Sequence, residues 1–293
     1  MADKKKVRFI INPISGGKAK KDIPSLLNAH LDQSKFDMEI TFSQSGNHAK
    51  ELAKEAVELN KDLVVAVGGD GTLNIVASCL VHTNTPMGII PLGSGNGFAR
   101  ALNIPMNTIA AIQLLNTGKS LCIDSGSANG TAFINVCGFG FDAYVSSKFA
   151  EAGTRGLKTY ARISIKELNQ YKPKEYKLVQ GLEQQIHKAF VLAICNGPQY
   201  GNNAYIAPLA EFADAWFDIT LLKQVSWTNF VGLSVDLFLR RIHQNKQTNT
   251  QRVKDLIVIQ PEAGYVNIDG EPVWFDEQVS IKMHPKSLTI IVP

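Results

Sequence analysis

Residues 68–74, Gly68-Gly69-Asp70-Gly71-Thr72-Leu73-Asn74, constrain this chain more than any other stretch. They lie between the apolar run 63–67 and the helix-patterned segment 73–81. A strand that breaks into glycines and then into a helix is phosphate-holding geometry. Glycine lets the backbone approach a ligand closely. The first amides of a helix have no partner inside it, and the helix dipole favours negative charge there. A nucleotide phosphate is therefore the first expectation.

The surrounding pattern supports that geometry. Residues 7–12, 38–42, 63–67 and 87–90 read as strands. Residues 18–31, 47–59, 97–102 and 108–115 read as helices, the second with Asn47 as its cap and Ala49, Leu52, Ala53 and Ala56 on one face. Such alternation implies a parallel sheet with helices on both faces. In such sheets ligands sit beyond the carboxyl ends of the strands. From about Cys122 the pattern turns to short strands, at 132–136, 176–181, 187–195, 217–225, 256–260 and 265–268. Only 159–170 and 227–244 look helical there. That is the composition of an antiparallel sandwich or barrel. The expected division is an α/β nucleotide domain at 1–120 and a β domain at 121–285. Residues 286–293 are a candidate to return to the first domain.

Bulk composition excludes several classes. The 293 residues favour two domains, and 45% hydrophobic with 19% charged residues is globular composition. The net charge of +4 is mild, and no basic–aromatic stripe points to nucleic acid. No apolar run has the length of a membrane span. Cys79, Cys122, Cys137 and Cys195 lack metal-ligand spacing and lie in apolar segments, so buried reduced thiols in a cytoplasmic protein are expected.

Two more glycine turns stand at strand ends. Asn12-Pro13-Ile14-Ser15-Gly16-Gly17-Lys18 follows the first strand. It lacks the upstream glycine and the Lys-Ser/Thr pair of a Walker A loop. Pro91-Leu92-Gly93-Ser94-Gly95-Asn96-Gly97 follows the fourth, and Ser94 and Asn96 can hydrogen-bond phosphate or ribose. Asp70 sits among amides, an unusual place for an acid unless it meets a metal or a substrate hydroxyl; the plainer reading is a helix cap. Asn267-Ile268-Asp269-Gly270-Glu271-Pro272 places two carboxylates close together. In an extended chain Asp269 and Glu271 point the same way, which suits a general base. The plainer reading is a hairpin turn at Asp-Gly.

These motifs, in this order and spacing, resemble the diacylglycerol kinase catalytic-domain superfamily, which includes bacterial lipid kinases, sphingosine kinases and ceramide kinases. The resemblance covers nearly the whole chain. It implies a C-terminal β-sandwich that helps hold lipid, and ATP-dependent, Mg²⁺-assisted phosphorylation of a lipid hydroxyl. By the same resemblance Glu271 is the base, with Asp269 and Asp70 assisting. ATP is expected at Asn12, Pro13, Ser15, Gly16, Ser43, Gly68, Gly69, Asp70, Gly71, Thr72, Asn74, Gly93, Ser94, Gly95 and Asn96, with Thr41 the other choice to Ser43. The family's structural Mg²⁺ site matches Glu211 to Asp218. Asp214 would supply a carboxylate, and Glu211 and Trp216 backbone carbonyls. Ala215 departs from the family's glycine, and Gly97 from an aspartate common in diacylglycerol kinases.

The segment 133–142, Phe-Ile-Asn-Val-Cys-Gly-Phe-Gly-Phe-Asp, resembles another family motif, and Gly138-x-Gly140-x-x-Ala143 is a weak Rossmann-like match. Residues 227–244 form an amphipathic helix ending in Arg240 and Arg241, which either packs on a core or touches a membrane surface. The expected partner is a lipid at the inner face of the membrane; a homo-oligomer is compatible with the sequence but not specified by it. The alternatives are an NAD kinase-like phosphotransferase and a catalytically inactive lipid- or nucleotide-binding module.

Overall fold

The computed structural model describes residues 3–15, 22–152 and 157–293. The chain divides into one unit of Met1–Ile123 with Lys286–Pro293, and a second of Asp124–Pro285.

Unit 1 alternates as β1 (Lys5–Ile11), α1 (Ile23–His30), β2 (Phe36–Phe42), α2 (Gly46–Glu58), β3 (Leu63–Gly68), α3 (Asp70–Leu80), β4 (Met87–Pro91), α4 (Gly97–Ala101) and α5 (Thr108–Thr117). The strands lie in the order β2-β1-β3-β4, all parallel. The end of the chain's last strand joins beside β4, pairing Ile290 with Met87. Every residue of β3 is buried, as expected for a parallel strand covered on both sides. Alternate side chains Val7, Phe9 and Ile11 of β1 and Leu63, Val65 and Val67 of β3 pack with Ile23 and Leu27 of α1 and Ala111, Ile112 and Leu115 of α5. The cap of α2 is Ser45, whose Oγ accepts from His48 N at 3.1 Å, so the expectation of Asn47 is corrected by two residues. Residues 16–21, the start of the expected first helix among them, lie outside the described residues.

Unit 2 takes over midway along β5 (Lys119–Ala128). It continues as β6 (Thr131–Phe133), β7 (Val136–Gly140), α6 (Phe141–Glu151), α7 (Leu157–Glu167), β8 (Lys174–Gln180), β9 (Glu183–Ala189), β10 (Val191–Cys195), β11 (Phe217–Leu222), α8 (Trp227–Phe238), β12 (Thr248–Val253), β13 (Leu256–Ile259), β14 (Gly264–Ile268), β15 (Glu271–Phe275) and the long β16 (Gln278–Val292). An antiparallel sheet runs β12-β11-β10-β7-β14-β15. It packs against β8, β13 and the first part of β16 through Phe139, Ile194, Phe217, Ile219, Tyr176, Val258 and Ile281. This is a sandwich, as expected. The helix α6 is an addition: its first turns bury Phe141, Asp142, Val145 and Ser146 together, which hides the helical stripe from a hydrophobicity reading.

The turn from β7 into α6 holds a buried acid. Asp142 accepts from Asn267 Nδ2 at 2.9 Å and from the Tyr160 hydroxyl at 3.2 Å. Gly138 makes room for it, since a Cβ there would lie 1.8 Å from Asp142 Oδ2. The β7 neighbours are antiparallel, so the Rossmann-like reading of 138–143 is set aside. Cys137 and Cys195 are buried, and burial pushes both thiols up; Cys122 is exposed and Cys79 half-buried, correcting the expectation of four buried thiols. Among the described residues no helix is long and apolar enough to cross a membrane.

Burial, opposed by the hydrogen bonds from Asn267 and Tyr160, raises the Asp142 pKa to about 6. A folded-state value above the unfolded one favours folding at low pH, and the advantage disappears as pH rises through about 6. Ionised Asp142 therefore costs the folded state on the order of 3 kcal/mol at neutral pH. In urea titrations, Asp142→Asn is expected to gain stability relative to wild type progressively between about pH 4 and pH 7. A difference independent of pH would contradict the assignment.

Candidate functional site

The parallel order of β1, β3 and β4 puts their carboxyl ends on one edge of unit 1. The ends of β3 and β4 open into glycine turns, and residues 12–15 after β1 are bonded to the turn after β3. Asn12 N–H donates to the Val67 carbonyl at 3.0 Å, and Asn12 Nδ2 donates to Thr72 Oγ1 at 2.9 Å. Leu92 N–H donates to the Gly68 carbonyl at 2.6 Å. The second and third turns touch at glycines: a Cβ on Gly93 would lie 2.5 Å from the Gly69 Cα. No other residue type allows that approach without moving a backbone. Ser43 lies buried just past β2, its amide donating to the Ile11 carbonyl at 2.9 Å. Thr41 lies within β2, its hydroxyl donating to the Phe9 carbonyl at 2.8 Å.

Within this rim the residues divide by what their polar atoms already do. The first bond of α3 runs from Leu73 N–H to the Gly69 carbonyl, so the amides of Gly71 and Thr72 precede the helical ladder. Asn74 lies in the same first turns of α3. Asp70 does not cap α3. Its carboxylate faces the amides of Asn96, Gly97 and Phe98, at the start of α4, as well as its own amide. Burial raises its pKa, and those amide bonds act in the opposite direction. Asn96 stands in the left-handed region at φ 52°. Its Oδ1 accepts from Gly93 N at 2.9 Å, and its Nδ2 donates to Gly93 O at 2.8 Å. Arg100 Nε donates to the Gly95 carbonyl at 3.0 Å. The amides opening α4 thus face Asp70, and the Asn96 side chain bonds its own loop. Ser94 is the exposed member of the third turn. In the first turn, Asn12 Oδ1 accepts from Ile14 N, and Ser15 Oγ donates to the Asn12 carbonyl. Pro13 lies between them, and Gly16 lies outside the described residues.

In unit 2, Asp269 and Gly270 form a two-residue hairpin between β14 and β15, at φ 50° and 95°. Ile268 pairs with Glu271 across it. The extended-chain argument for parallel carboxylates fails here, because both turn residues adopt the left-handed conformation of a tight hairpin. Asp269 Oδ1 accepts from the amides of Asn135 and Val136, both at 2.8 Å, and Oδ2 from Ile134 at 2.6 Å. Asp269 thus fixes the 134–136 backbone, while Glu271 is exposed at the head of β15. The two carboxylates have different environments and different tasks. Neither the triple amide clasp nor the buried Asp142 was visible in the sequence; only Asp-Gly as a turn and Gly138 with Gly140 signalled special backbone.

The expected metal stretch is a bend before β11. Asp214 Oδ1 accepts from Trp216 N at 3.0 Å, and Ala215 N donates to Asp124 Oδ2 at 2.7 Å. The second Asp214 oxygen pairs with Arg252. Among the described residues, no group of three or more His, Cys, Asp or Glu side chains is arranged to hold a metal ion. Asp214, the one carboxylate of the expected set, is engaged through both oxygens and so is a poor fit to the ion that the family resemblance implies.

Residues 6–128 match the diacylglycerol kinase catalytic domain family, and residues 135–292 match the YegS C-terminal NAD kinase beta sandwich-like domain. The chain is 33% identical to a diacylglycerol kinase of Bacillus subtilis, over 91% of this chain and 90% of the relative. It is 29% identical to a diacylglycerol kinase of Mycobacterium tuberculosis, over 91% and 88%. A crystal structure of a diacylglycerol kinase from Bacillus anthracis superposes with a TM-score of 0.74 at 21% identity, covering 99% of this chain and 97% of that one. That likeness is one of fold. Two domain families matched in their natural order, with glycine turns gathered on one sheet edge, make the chain a member of the diacylglycerol kinase catalytic-domain superfamily.

Proposed function

We propose that the protein transfers the γ-phosphate of ATP to a lipid hydroxyl, with diacylglycerol the first acceptor to test. The observation that supports this reading is the convergence of the glycine turns after β3 and β4, locked by the Gly69–Gly93 approach, with Asn12 at the end of β1 bonded to Thr72. In this reading the triphosphate lies at the start of α3 and along the first turn, with Ser94 at its rim. The amides of Gly71 and Thr72 meet negative charge at a helix start. Magnesium bound with ATP would offset phosphate charge; every remaining task falls to the protein's own groups. Asp70 is a positioning residue that holds the third turn against the second. Glu271 takes the proton of the acceptor hydroxyl. Catalysis of this kind draws mainly on placement and electrostatics.

The family names of relatives support diacylglycerol as acceptor, and α8 supports delivery from a membrane. One side of α8 packs Phe230, Leu233 and Leu237 onto the unit 2 core. The other leaves Val231, Val235, Phe238 and Leu239 between 44% and 67% exposed, at spacings of four, seven and eight residues. The ridge ends at the exposed cations Arg240, Arg241 and Lys246. Apolar side chains beside cations suit an anionic bilayer surface. A cytoplasmic enzyme working at the inner face of the membrane is the corresponding cellular setting.

Two experiments test this function. With labelled ATP and diacylglycerol vesicles, Glu271→Gln is expected to lower kcat roughly 100-fold or more with KM for ATP unchanged. Asp70→Asn should instead raise KM for ATP. A fully active Glu271→Gln variant removes Glu271 from the chemistry, and absence of phosphate transfer to any lipid by the wild type removes the proposal. In vesicle sedimentation, Val231→Asp with Phe238→Asp is expected to weaken binding to anionic vesicles about tenfold or more. Unchanged binding would exclude α8 as the docking face.

A further inference from the structure

We infer that in this chain Arg252 is the built-in cation of the acidic bend before β11, so that unit 2 folds without the divalent ion that the family resemblance implies. The register of the sheet sets the arrangement. β11 and β12 are antiparallel, with Asp218 directly opposite Arg252. From that position the guanidinium reaches both carboxylates at the head of β11. Nη2 pairs with Asp214 Oδ2, and Nε stands 3.7 Å from Asp218 Oδ2. The guanidinium carbon also lies 5.6 Å from the centre of the Trp216 ring, and Lys254 Nζ lies 4.8 Å from the same centre. Arg252 on the neighbouring strand and Lys254 just past its end therefore flank the bend.

The one carboxylate that the family's site would use is already engaged through both of its oxygens. Asp214 Oδ1 accepts from the Trp216 amide, and its Oδ2 pairs with Arg252. Asp124 Oδ2 accepts from the Ala215 amide. That amide points inward because Ala215 stands at φ 60°, a conformation natural to the glycine the family carries there. Glu211 is exposed. Magnesium demands oxygen ligands in near-octahedral geometry and gives up its water reluctantly. A guanidinium asks less: its planar donors match carboxylates directly, it stacks on aromatic faces, and it is always charged. Arg252 has both contacts, carboxylates at its edge and Trp216 beside its plane. The same negative charge is thus offset by an ion pair to a side chain of the protein itself, at fixed stoichiometry and independent of metal concentration.

This inference concerns folding of unit 2 and stands apart from the kinase reading, so its test measures stability and binding. Thermal unfolding of the full chain without nucleotide would be followed in excess EDTA and in excess Mg²⁺, with Mn²⁺ binding counted by electron paramagnetic resonance. Wild type is expected to melt at the same temperature in both, within about 1 °C, and to bind no stoichiometric Mn²⁺. Arg252→Gln is expected to melt lower in EDTA and to recover part of the loss in Mg²⁺. Arg252→Lys, which keeps the charge, should remain insensitive to metal. A saturable rise of several degrees in the wild-type melt with Mg²⁺ would overturn the inference, as would one equivalent of tightly bound Mn²⁺. Should Arg252→Gln fail to fold, the wild-type melt and the Mn²⁺ count decide the question alone.

Discussion

The Asp70 carboxylate ties the amide start of α4 to the turn that follows β3. The remaining features of this turn cluster depend on this contact. A carboxylate buried at a helix start is favoured by the dipole and by amides that no helix bond can satisfy. Here the amides belong to a different helix from the one Asp70 begins. The bond therefore joins two turns, and Gly69 and Gly93 let their backbones meet. The Asn12–Thr72 bond adds the first turn to the same assembly. Turns bonded to one another before any ligand arrives lower the ordering cost of binding.

The strand-turn-helix units of unit 1 were legible because their strands are continuous apolar runs and their turns are glycines, the two strongest local signals. The direction of the Asp70 side chain was not legible. It depends on where α4 lies in space, a relation between two elements that no local pattern carries. The hairpin at Asp269 and Gly270 was legible as a turn, and its φ values agree. That Asp269 clasps residues 134–136 was not, since the partners are more than 130 residues away in sequence. The helix α6 escaped for another reason: Asp142, Ser146 and Ser147 share its buried surface with Phe141 and Val145, so polarity stops tracking exposure. The edge strand β9, nearly all polar and exposed, escaped for the converse reason.

Both units use buried carboxylates as joints more than as reagents. Asp269 collects three backbone amides, Asp70 faces the amides that open α4, and Asp142 collects Asn267 and Tyr160. Each fixes one segment to another, and each raises the cost of removing its partners. Glu271, exposed at the head of β15, is the acid that none of these contacts engages. The division of labour among the acids follows from burial and hydrogen bonding, and spacing in the sequence does not disclose it.

The most direct test of a pre-locked phosphate rim is ATP affinity in Gly93→Ala, measured by calorimetry on protein shown to be folded by its melt. The added methyl would meet the Gly69 backbone at 2.5 Å and force the two turns apart. ATP binding is expected to weaken about tenfold or more, equivalent to about 1.4 kcal/mol, while the cooperative melt persists. Wild-type affinity in that variant would contradict the account, because the phosphates would then be held without the two turns in register.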